Sequence, residues 1–199
     1  MLEFIEEEHL YLLDGVIIPS VSEILHFIFP NKYKNIPNSI LNAKADYGTV
    51  IHKAIEEYEN DKPLPNLNYI QEASINQYLM LKQCHRIKVL EQEKMIHYKN
   101  KYAGRFDMIA KIGRKTCLCD IKTTSELDEE YLSWQLSLYE FAYGKKFDKL
   151  YAIWLPKKDL GKLIEIERKE EREILKVLED YENNYPNEER DREREILGL

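Results

Sequence analysis

Hydrophobic runs in the first forty residues are interrupted by turn-forming and helix-capping residues. Residues 9–18 place Asp14-Gly15 between two apolar runs, and this dipeptide favours the two-residue turn of a β-hairpin. Directly after it, Ser20 and Glu23 have the spacing of a capping box, in which each side chain accepts a backbone N–H at the start of a helix. The N-terminal segment is therefore predicted to be a hairpin followed by a short helix.

Beyond residue 39 the hydrophobic positions follow two periods, and the period predicts the element. Helical spacing predicts helices over 40–60, 69–90, 128–143 and 170–181, and strand-like runs predict strands over 93–98, 102–112, 116–123, 150–155 and 163–166. Three consecutive strands joined by short turns indicate an antiparallel meander. The whole order predicts a mixed α/β fold, in which a central mixed sheet is flanked by helices.

The chain shows neither an internal repeat nor a low-complexity linker, and 199 residues suffice for one sizeable core. We therefore expect a single domain over residues 1–199. Its predicted parts are the hairpin and short helix (1–39), a core that carries the chemistry (40–166) and a C-terminal helix with a polar tail (167–199). The part of the tail after Pro186 is expected to fray.

The net charge of −7 argues against a protein that coats nucleic acid through bulk positive charge. It is compatible with an enzyme that gathers carboxylates around a metal ion and binds phosphates in a local basic groove. The candidates for that groove are Lys32 and Lys34, Lys99 and Lys101 with Arg105, and Lys145 with Lys146. The N-terminus lacks the pattern of a signal peptide, and no run approaches the ~18 apolar residues of a membrane helix. These features predict a cytoplasmic protein without membrane contact.

The two strands over 102–112 and 116–123 carry the most informative residues. If their hairpin turns at Gly113-Arg114 as a type II′ turn, Ile112 pairs with Lys115. Counting back along both strands then places Asp107 opposite Asp120.

In the same register Arg105 lies opposite Lys122, and all four charged residues share one sheet face. Carboxylates on facing strand positions, with Cβ atoms roughly 4.5–5.5 Å apart, repel each other unless a cation lies between them. Mg²⁺ takes oxygen ligands, and a nearby lysine can orient water or stabilise charge on a phosphate. This set suits phosphodiester hydrolysis. The alternative is that Asp107 and Asp120 are unrelated strand residues, with Lys122 as a salt-bridge partner.

Five further residues are candidates for the same site. His52 and Glu56 occupy one face of the helix over 40–60, and an imidazole ligand would favour Mn²⁺ as well as Mg²⁺. Glu93 opens a strand and is a candidate for an additional carboxylate. Gln135 and Tyr139 add a polar stripe to an apolar helix, and the Gln135 amide needs hydrogen-bond partners that a site would supply. Packing or surface roles remain the alternative for each.

Together these residues resemble the PD-(D/E)XK nuclease superfamily, specifically its RecB-like exonuclease branch. The matching motifs, in that family's order, are Gly48-xxx-His52, Gly104-xx-Asp107, Asp120-Ile-Lys122-Thr123 and Gln135-xxx-Tyr139. They span about residues 48–155. The start of the chain also resembles phage and prophage nucleases of this group.

The resemblance implies a restriction-endonuclease-like core and a Mg²⁺ site in which Mn²⁺ can substitute. His52, Asp107 and Asp120 would bind the metal together with the Ile121 carbonyl, and Lys122 would be the catalytic lysine. Gln135 and Tyr139 would position DNA, as would Arg105 in the basic groove. Some relatives hold an iron–sulfur cluster with four cysteines, but this chain has three, Cys84, Cys117 and Cys119, and no cluster is expected.

The function expected from this resemblance is an exonuclease that resects double-stranded DNA ends in phage-type recombination or repair. It would supply single strands to an annealing or recombinase partner, and a homo-oligomeric ring around DNA is plausible because some relatives form one. Two alternatives remain open. One is a structure-specific endonuclease or nickase, and the other is a non-catalytic nuclease fold that binds DNA or protein.

Overall fold

The computed structural model describes residues 1–6 and 8–184. Its eight strands and five helices follow the predicted order with one strand added at the N-terminus. They are β1 (Leu2–Ile5), β2 (Leu10–Leu13), β3 (Val16–Ile18), α1 (Val21–Ile28), α2 (Asn38–Glu59), α3 (Tyr69–His85), β4 (Ile87–Tyr98), β5 (Tyr102–Ile112), β6 (Lys115–Lys122), α4 (Glu129–Tyr143), β7 (Lys149–Trp154), β8 (Lys162–Ile166) and α5 (Glu171–Asn184).

The strands form two sheets. One is antiparallel, with the order β1-β2-β3, and the other is mixed, with the order β4-β5-β6-β7-β8. In the larger sheet β6 and β7 run parallel because α4 connects them, and the other neighbours are antiparallel. The predicted mixed sheet with an antiparallel meander and flanking helices is therefore confirmed.

Two hydrophobic clusters cover the two faces of the five-stranded sheet. Leu118 packs on one face with apolar residues of α1, α4 and α5. Its neighbours Cys117 and Cys119 point to the opposite face and pack against α2 and α3. Both cysteines are fully buried, whereas Cys84 is exposed near the end of α3.

The N-terminal sheet is attached to the larger one next to the start of β5. Both turn residues of its predicted hairpin, Asp14 and Gly15, have positive φ, as a type I′ turn requires. The capping box of Ser20 and Glu23 is present at the start of α1. The backbone N–H of Ala103 in β5 donates to the carbonyl of Pro19 over 2.8 Å, so the hairpin is held against the edge of the site described below.

The predicted helix over 69–90 is wrong at its C-terminal end, because α3 ends at His85. Arg86 adopts a left-handed conformation with φ of 53°, and the chain then enters β4. Ile87 pairs with Ile112 of β5, so pairing with a distant strand overrides the local helical pattern. The predicted polar tail after Pro186 lies outside the described residues.

No helix within the described part of the chain combines the length and apolarity needed to cross a lipid bilayer.

Candidate active site

The hairpin of β5 and β6 has the predicted register. Paired residues run from Ile112–Lys115 to Met108–Cys119, and Gly113 has the positive φ of 63° expected at the first position of a type II′ turn. The next pair in this register would be Asp107 and Asp120.

At Asp107, the side chain takes the place of a backbone hydrogen-bond acceptor. Its Oδ2 accepts the Ile121 N–H over 2.6 Å, while β6 continues in parallel pairing with β7 as far as Lys122. The pairing of β5 with β6 ends at Met108 and Cys119, so the prediction that Arg105 faces Lys122 is wrong. The Asp107 carboxylate instead occupies the gap that opens between the two strands.

His52 approaches this gap from α2 and contacts two of the predicted metal ligands. Its Nε2 lies 3.0 Å from the Ile121 carbonyl oxygen, and its Nδ1 lies 3.4 Å from Oδ1 of Asp107. Gly48, one turn earlier on α2, lies near Thr123 just beyond the end of β6. A Cβ atom at Gly48 would lie 3.6 Å from the Thr123 hydroxyl.

Glu93 on β4 completes a group of three potential ligands. Ligand atoms of His52, Glu93 and Asp107 all lie within 4.8 Å of one another. Glu93 has φ of 46°, a left-handed conformation that costs a non-glycine residue roughly 1–2 kcal/mol, and strain of this kind accumulates at functional sites. The sequence contains no signal for this backbone irregularity, which is why Glu93 was only an additional candidate.

Asp120 and Lys122 form a buried ion pair on the other side of the gap. The ammonium Nζ of Lys122 lies 2.5 Å from Oδ2 of Asp120, whose side chain is 3% exposed. The spacing of two residues on one strand places both side chains on the same face, as predicted. The two groups remain coupled electrostatically to Asp107 and His52 across the gap.

The crowded charges shift the pKa of each group. Burial raises the pKa of Asp120 to about 6, although Lys122 opposes the shift. Burial and the charge of Asp107 raise the pKa of Glu93 to about 7. Burial lowers the pKa of His52, but the Asp107 carboxylate more than offsets this and brings it to about 9. The site therefore retains protons where carboxylates crowd together.

A cavity of about 670 Å³ opens next to His52, Glu93 and Asp107. Basic side chains line it, among them His9 in the turn before β2, Lys53 on α2 and Arg105 on β5. The N-terminal sheet forms one wall, a contribution that the sequence did not indicate. The cavity thus joins a carboxylate-rich group to basic side chains, of which Lys53 and Arg105 are paired with glutamates.

The remaining predicted residues lie around the cavity in different roles. Arg105 pairs with Glu93, its Nε 3.1 Å from Oε2. Glu56 also lines the cavity but pairs with Lys53 over 2.9 Å and is not part of the three-ligand group.

Gln135 and Tyr139 lie together on the α4 side. The Gln135 amide nitrogen lies 3.4 Å from the Tyr139 hydroxyl, and Tyr139 lines the cavity. Within residues 1–6 and 8–184, the buried Oε1 of Gln135 has no hydrogen-bond partner. An acceptor left in this state is costly, so it fits a residue that receives a hydrogen bond from a bound molecule or water.

Gly104 allows β5 to approach α4 closely enough to place Tyr139 at the cavity. A Cβ atom there would lie 2.7 Å from Cε1 of Tyr139 and 2.9 Å from Cγ2 of Val21. We expect Gly104→Ala to destabilise the protein by about 1–3 kcal/mol and lower its Tm by roughly 2–10 °C, because the ring and the strand must move apart. Thermal unfolding followed by circular dichroism measures this effect.

The matched control is Gly48→Ala, at the other motif glycine. Gly48 lies within α2, where an added Cβ meets only the Thr123 hydroxyl at 3.6 Å and alanine favours the helix. We expect an unchanged or higher Tm. Equal destabilisation by both substitutions would show that close packing at Gly104 has no special role.

Comparisons with known proteins add little to these observations. No protein-family model matches the chain, and no curated protein matches it significantly. Among solved structures, the crystal structure of SSO0001 is similar over 84% of this chain and 77% of that chain, with a TM-score of 0.48 and 19% sequence identity. A likeness of this size shows neither the fold family nor the function.

Proposed function

We propose that this chain is a metal-dependent DNA nuclease with a PD-(D/E)XK-type core, acting as an exonuclease on double-stranded ends. The observation that carries the proposal is the convergence of His52, Asp107, Asp120 and Lys122 at the point where β5 and β6 separate. These residues come from one helix and two strands. Their order along the chain is the order of the motifs that suggested a nuclease.

The residues fit a hard divalent cation. Two carboxylates and an imidazole present ligand atoms within 4.8 Å of one another, and Asp120 lies across the gap. Oxygen ligands with one imidazole suit Mg²⁺ and Mn²⁺. His52, Glu93, Asp107 and Asp120 would hold the ion, with the Ile121 carbonyl as a further ligand. A bound ion would polarise the phosphate and make its bound water a stronger nucleophile.

Lys122 supplies a positively charged side chain next to Asp120, one of the proposed metal ligands. Its ammonium has three donors and uses one direction toward Asp120, which leaves donors for a water molecule or a phosphate oxygen. Because the pair is buried, its field acts in a medium of low dielectric constant, where stabilisation of charge on a phosphate is strongest. Asp120 keeps Lys122 charged and directed into the gap.

The cavity beside the site supports a phosphate-bearing substrate. His9, Lys53 and Arg105 line it, so an acidic chain still presents basic side chains beside the site, two of them in ion pairs with Glu56 and Glu93. DNA as substrate, the exonuclease mode, a homo-oligomeric ring, a single-strand annealing or recombinase partner and a cytoplasmic location are proposals that rest on the resemblance.

The direct test is incubation of the purified protein with end-labelled linear duplex and with covalently closed circular DNA, each in Mg²⁺, Mn²⁺ or EDTA. Asp120→Asn serves as the inactive reference. We expect loss of linear DNA only, in either metal, and no loss in EDTA or with the variant.

Cleavage of the closed circle would identify an endonuclease or nickase instead. Binding of DNA by both wild type and variant without cleavage in either metal would refute the catalytic proposal and leave a binding module. The two DNA forms and the two metals therefore separate the three candidate functions.

As the pH rises, metal binding should stabilise the folded protein more strongly. The folded pKa values of His52 (about 9) and Glu93 (about 7) lie above their ordinary values of 6.5 and 4.5. Proton binding to Glu93 thus stabilises the metal-free fold below about pH 4.5, and this stabilisation is lost as the pH rises through about 7. Proton binding to His52 stabilises the fold below about pH 6.5, and that stabilisation is lost as the pH rises through about 9.

A metal ion must displace these protons, so its affinity rises with pH. We expect the increase in Tm produced by Mn²⁺ to grow from pH 5.5 to pH 8.5, measured by thermal unfolding with and without the ion. Glu93→Gln should flatten the part of this dependence near pH 7. A metal-induced shift that is independent of pH would contradict the assignment of these groups as ligands.

A further inference from the structure

The connection between β7 and β8 carries a local excess of positive charge. We call residues 155–162, which include the first residue of β8, the basic loop. They contain three lysines, Lys157, Lys158 and Lys162, against one acidic residue, Asp159, in a chain whose net charge is −7. Lysines on a loop are usually solvated surface residues, so the local sequence gives no reason to single them out.

The basic loop begins beside the proposed catalytic lysine. The Leu155 N–H donates to the Lys122 carbonyl over 2.7 Å, and Trp154 pairs with Lys122 in the parallel ladder. In the sheet order β4-β5-β6-β7-β8, Glu93 and Asp107 lie on the first two strands and line the cavity, whereas the loop joins the last two strands. The end of β6 therefore lies between the cavity and the basic loop.

Lys162 is held by an aromatic ring that borders Lys122. It pairs with Trp154 across β7 and β8, and its Nζ lies 5.2 Å from the centroid of the indole ring. The indole is fixed as well, since its Nε1 donates to the Thr124 carbonyl over 2.8 Å. Residues that pair on adjacent strands share a sheet face, so Lys122, Trp154 and Lys162 form a row. Two strand spacings separate the backbones of the two lysines by roughly 10 Å.

A second ring holds Lys157 on the α2 side of the loop. Its Nζ lies 3.5 Å from the centroid of the Tyr47 ring, a cation–π contact. The Tyr47 hydroxyl is hydrogen-bonded to the Ser74 hydroxyl over 2.8 Å, which fixes the ring between α2 and α3. Tyr47 precedes Gly48, where a Cβ atom would lie 3.6 Å from the Thr123 hydroxyl. Lys157 is thus held by the part of α2 that lies near the end of β6.

The basic loop is fixed in place while its lysines stay accessible. Nε2 of Gln77 on α3 donates to the carbonyls of Pro156 and Asp159 over 3.3 and 3.1 Å. Lys162 pairs with Asp159 over 3.0 Å, but their side chains are 49% and 56% exposed, and an ion pair of this kind is weak enough to be exchanged for another partner. A loop that is already ordered can bind a ligand with little further loss of conformational entropy.

We propose that the basic loop binds the sugar–phosphate backbone of the nucleic-acid substrate beside the bond to be cleaved, through Lys157 and Lys162. The substrate would lie across the strand ends, from the cavity to the loop. At about 3.4 Å of axial rise per nucleotide, the roughly 10 Å between Lys122 and Lys162 correspond to about three nucleotides of one strand. Contacts to phosphates are independent of sequence. This inference rests on the proposed nuclease function and adds where the backbone next to the site is held.

The test measures the affinity of the full chain for a short fluorescein-labelled duplex by fluorescence anisotropy, from about 50 to about 200 mM salt. EDTA is present, so the readout is independent of cleavage. Wild type is compared with Lys157→Ala, Lys162→Ala and the double variant. Lys149→Ala is the matched control, because Lys149 pairs with Glu165 across the same two strands but at their opposite end.

The logarithm of the association constant falls linearly with the logarithm of salt concentration, with a slope of about 0.9 for each phosphate contact to duplex DNA. We expect each single substitution to lower the slope by about 0.9 and the double variant by about 1.8. Over the fourfold range of salt, wild type should thus lose about 3.5-fold more affinity than each single variant. Lys162→Arg, which keeps the charge, and Lys149→Ala should keep the wild-type slope.

Three results would overturn the inference: an unchanged slope in the double variant, an equal decrease in Lys149→Ala, or no binding of the duplex by the wild type. A parallel cleavage assay in Mg²⁺ separates it from the nuclease proposal. Lower slopes in the lysine variants without cleavage by the wild type would support the basic loop and refute the nuclease. Cleavage with the same KM and the same salt slope in wild type and double variant would refute the basic loop alone.

Discussion

Lys122→Ala is expected to lower kcat for DNA cleavage by roughly 100- to 1,000-fold, the usual effect of removing one charged or hydrogen-bonding group that acts on the transition state. The physical reason is that the Lys122 ammonium is the positive group paired with Asp120, one of the proposed metal ligands, with Nζ 2.5 Å from Oδ2. Single-turnover cleavage of an end-labelled duplex in Mg²⁺ measures the loss.

Lys115→Ala is the matched control, because Lys115 lies on the same strand but is exposed at its beginning. It should cleave at the wild-type rate. Asp120 can accept a proton once its partner is removed, since burial already raises its pKa to about 6, and the fold of Lys122→Ala should therefore survive. Circular dichroism and retained Mn²⁺ binding would verify this. A folded Lys122→Ala protein that cleaves at the wild-type rate would refute a catalytic role for the lysine.

Asp107→Asn is expected to abolish both metal binding and cleavage. At a Mn²⁺ concentration of about 100 times Kd, the wild type should gain about 2.7 kcal/mol in free energy of unfolding, which corresponds to an increase in Tm of about 5–10 °C. The variant should show no such increase. Asn keeps an oxygen that can accept the Ile121 N–H, so the end of β6 should stay in place while the ligand charge is lost.

The chain offers a closely matched control in Asp148→Asn. Oδ2 of Asp148 also accepts a backbone N–H from β6, that of Thr116 over 2.7 Å, but at the opposite end of the strand. This variant should keep the full metal-induced increase in Tm and normal cleavage. If both variants lost the increase, or if neither did, Asp107 would not be a metal ligand and the proposed site would be wrong.

The surroundings of Asp107 and Asp120 shift the pKa values of their carboxyl groups in opposite directions. Burial raises the pKa of Asp107, but His52 and Lys122 outweigh this effect and hold the carboxyl in its charged form. For Asp120, burial raises the pKa by more than the charge of Lys122 lowers it. Asp107 is consequently the carboxylate that is ready to bind a cation at neutral pH. Even with the Lys122 ammonium 2.5 Å away, the pKa of Asp120 stays at about 6, so Asp120 loses its proton at a higher pH than Asp107 does.

The register of β5 and β6 illustrates what local sequence can predict. A glycine at the first turn position fixes which residues of a hairpin pair, and the observed pairing of Ile112 with Lys115 follows from it. The same argument located Asp107 near Asp120. It failed for Arg105, because the Asp107 side chain interrupts the ladder, and a count of strand positions assumes that the ladder continues.

The boundary between α3 and β4 could not be predicted from the local sequence pattern. Residues 87–90 have an apolar pattern compatible with the end of a helix, yet Ile87 and Val89 pair with β5. Pairing with a strand that follows later in the chain stabilises the extended conformation there. A local period cannot report a partner more than twenty residues away.

By itself, the sequence determined the mixed order of helices and strands, the hairpin and capping box at the N-terminus, and the two-residue spacing of Asp120 and Lys122 on one strand face. Each follows from rules that act over a few residues, namely turn geometry, capping and the side-chain period. Only the tertiary structure decided that Glu93 joins His52 and Asp107 and that Lys32, a candidate for the basic groove, pairs with Asp128. These relations are set by distances through space between elements far apart in the chain, and such distances exist only once the sheet and its helices have packed.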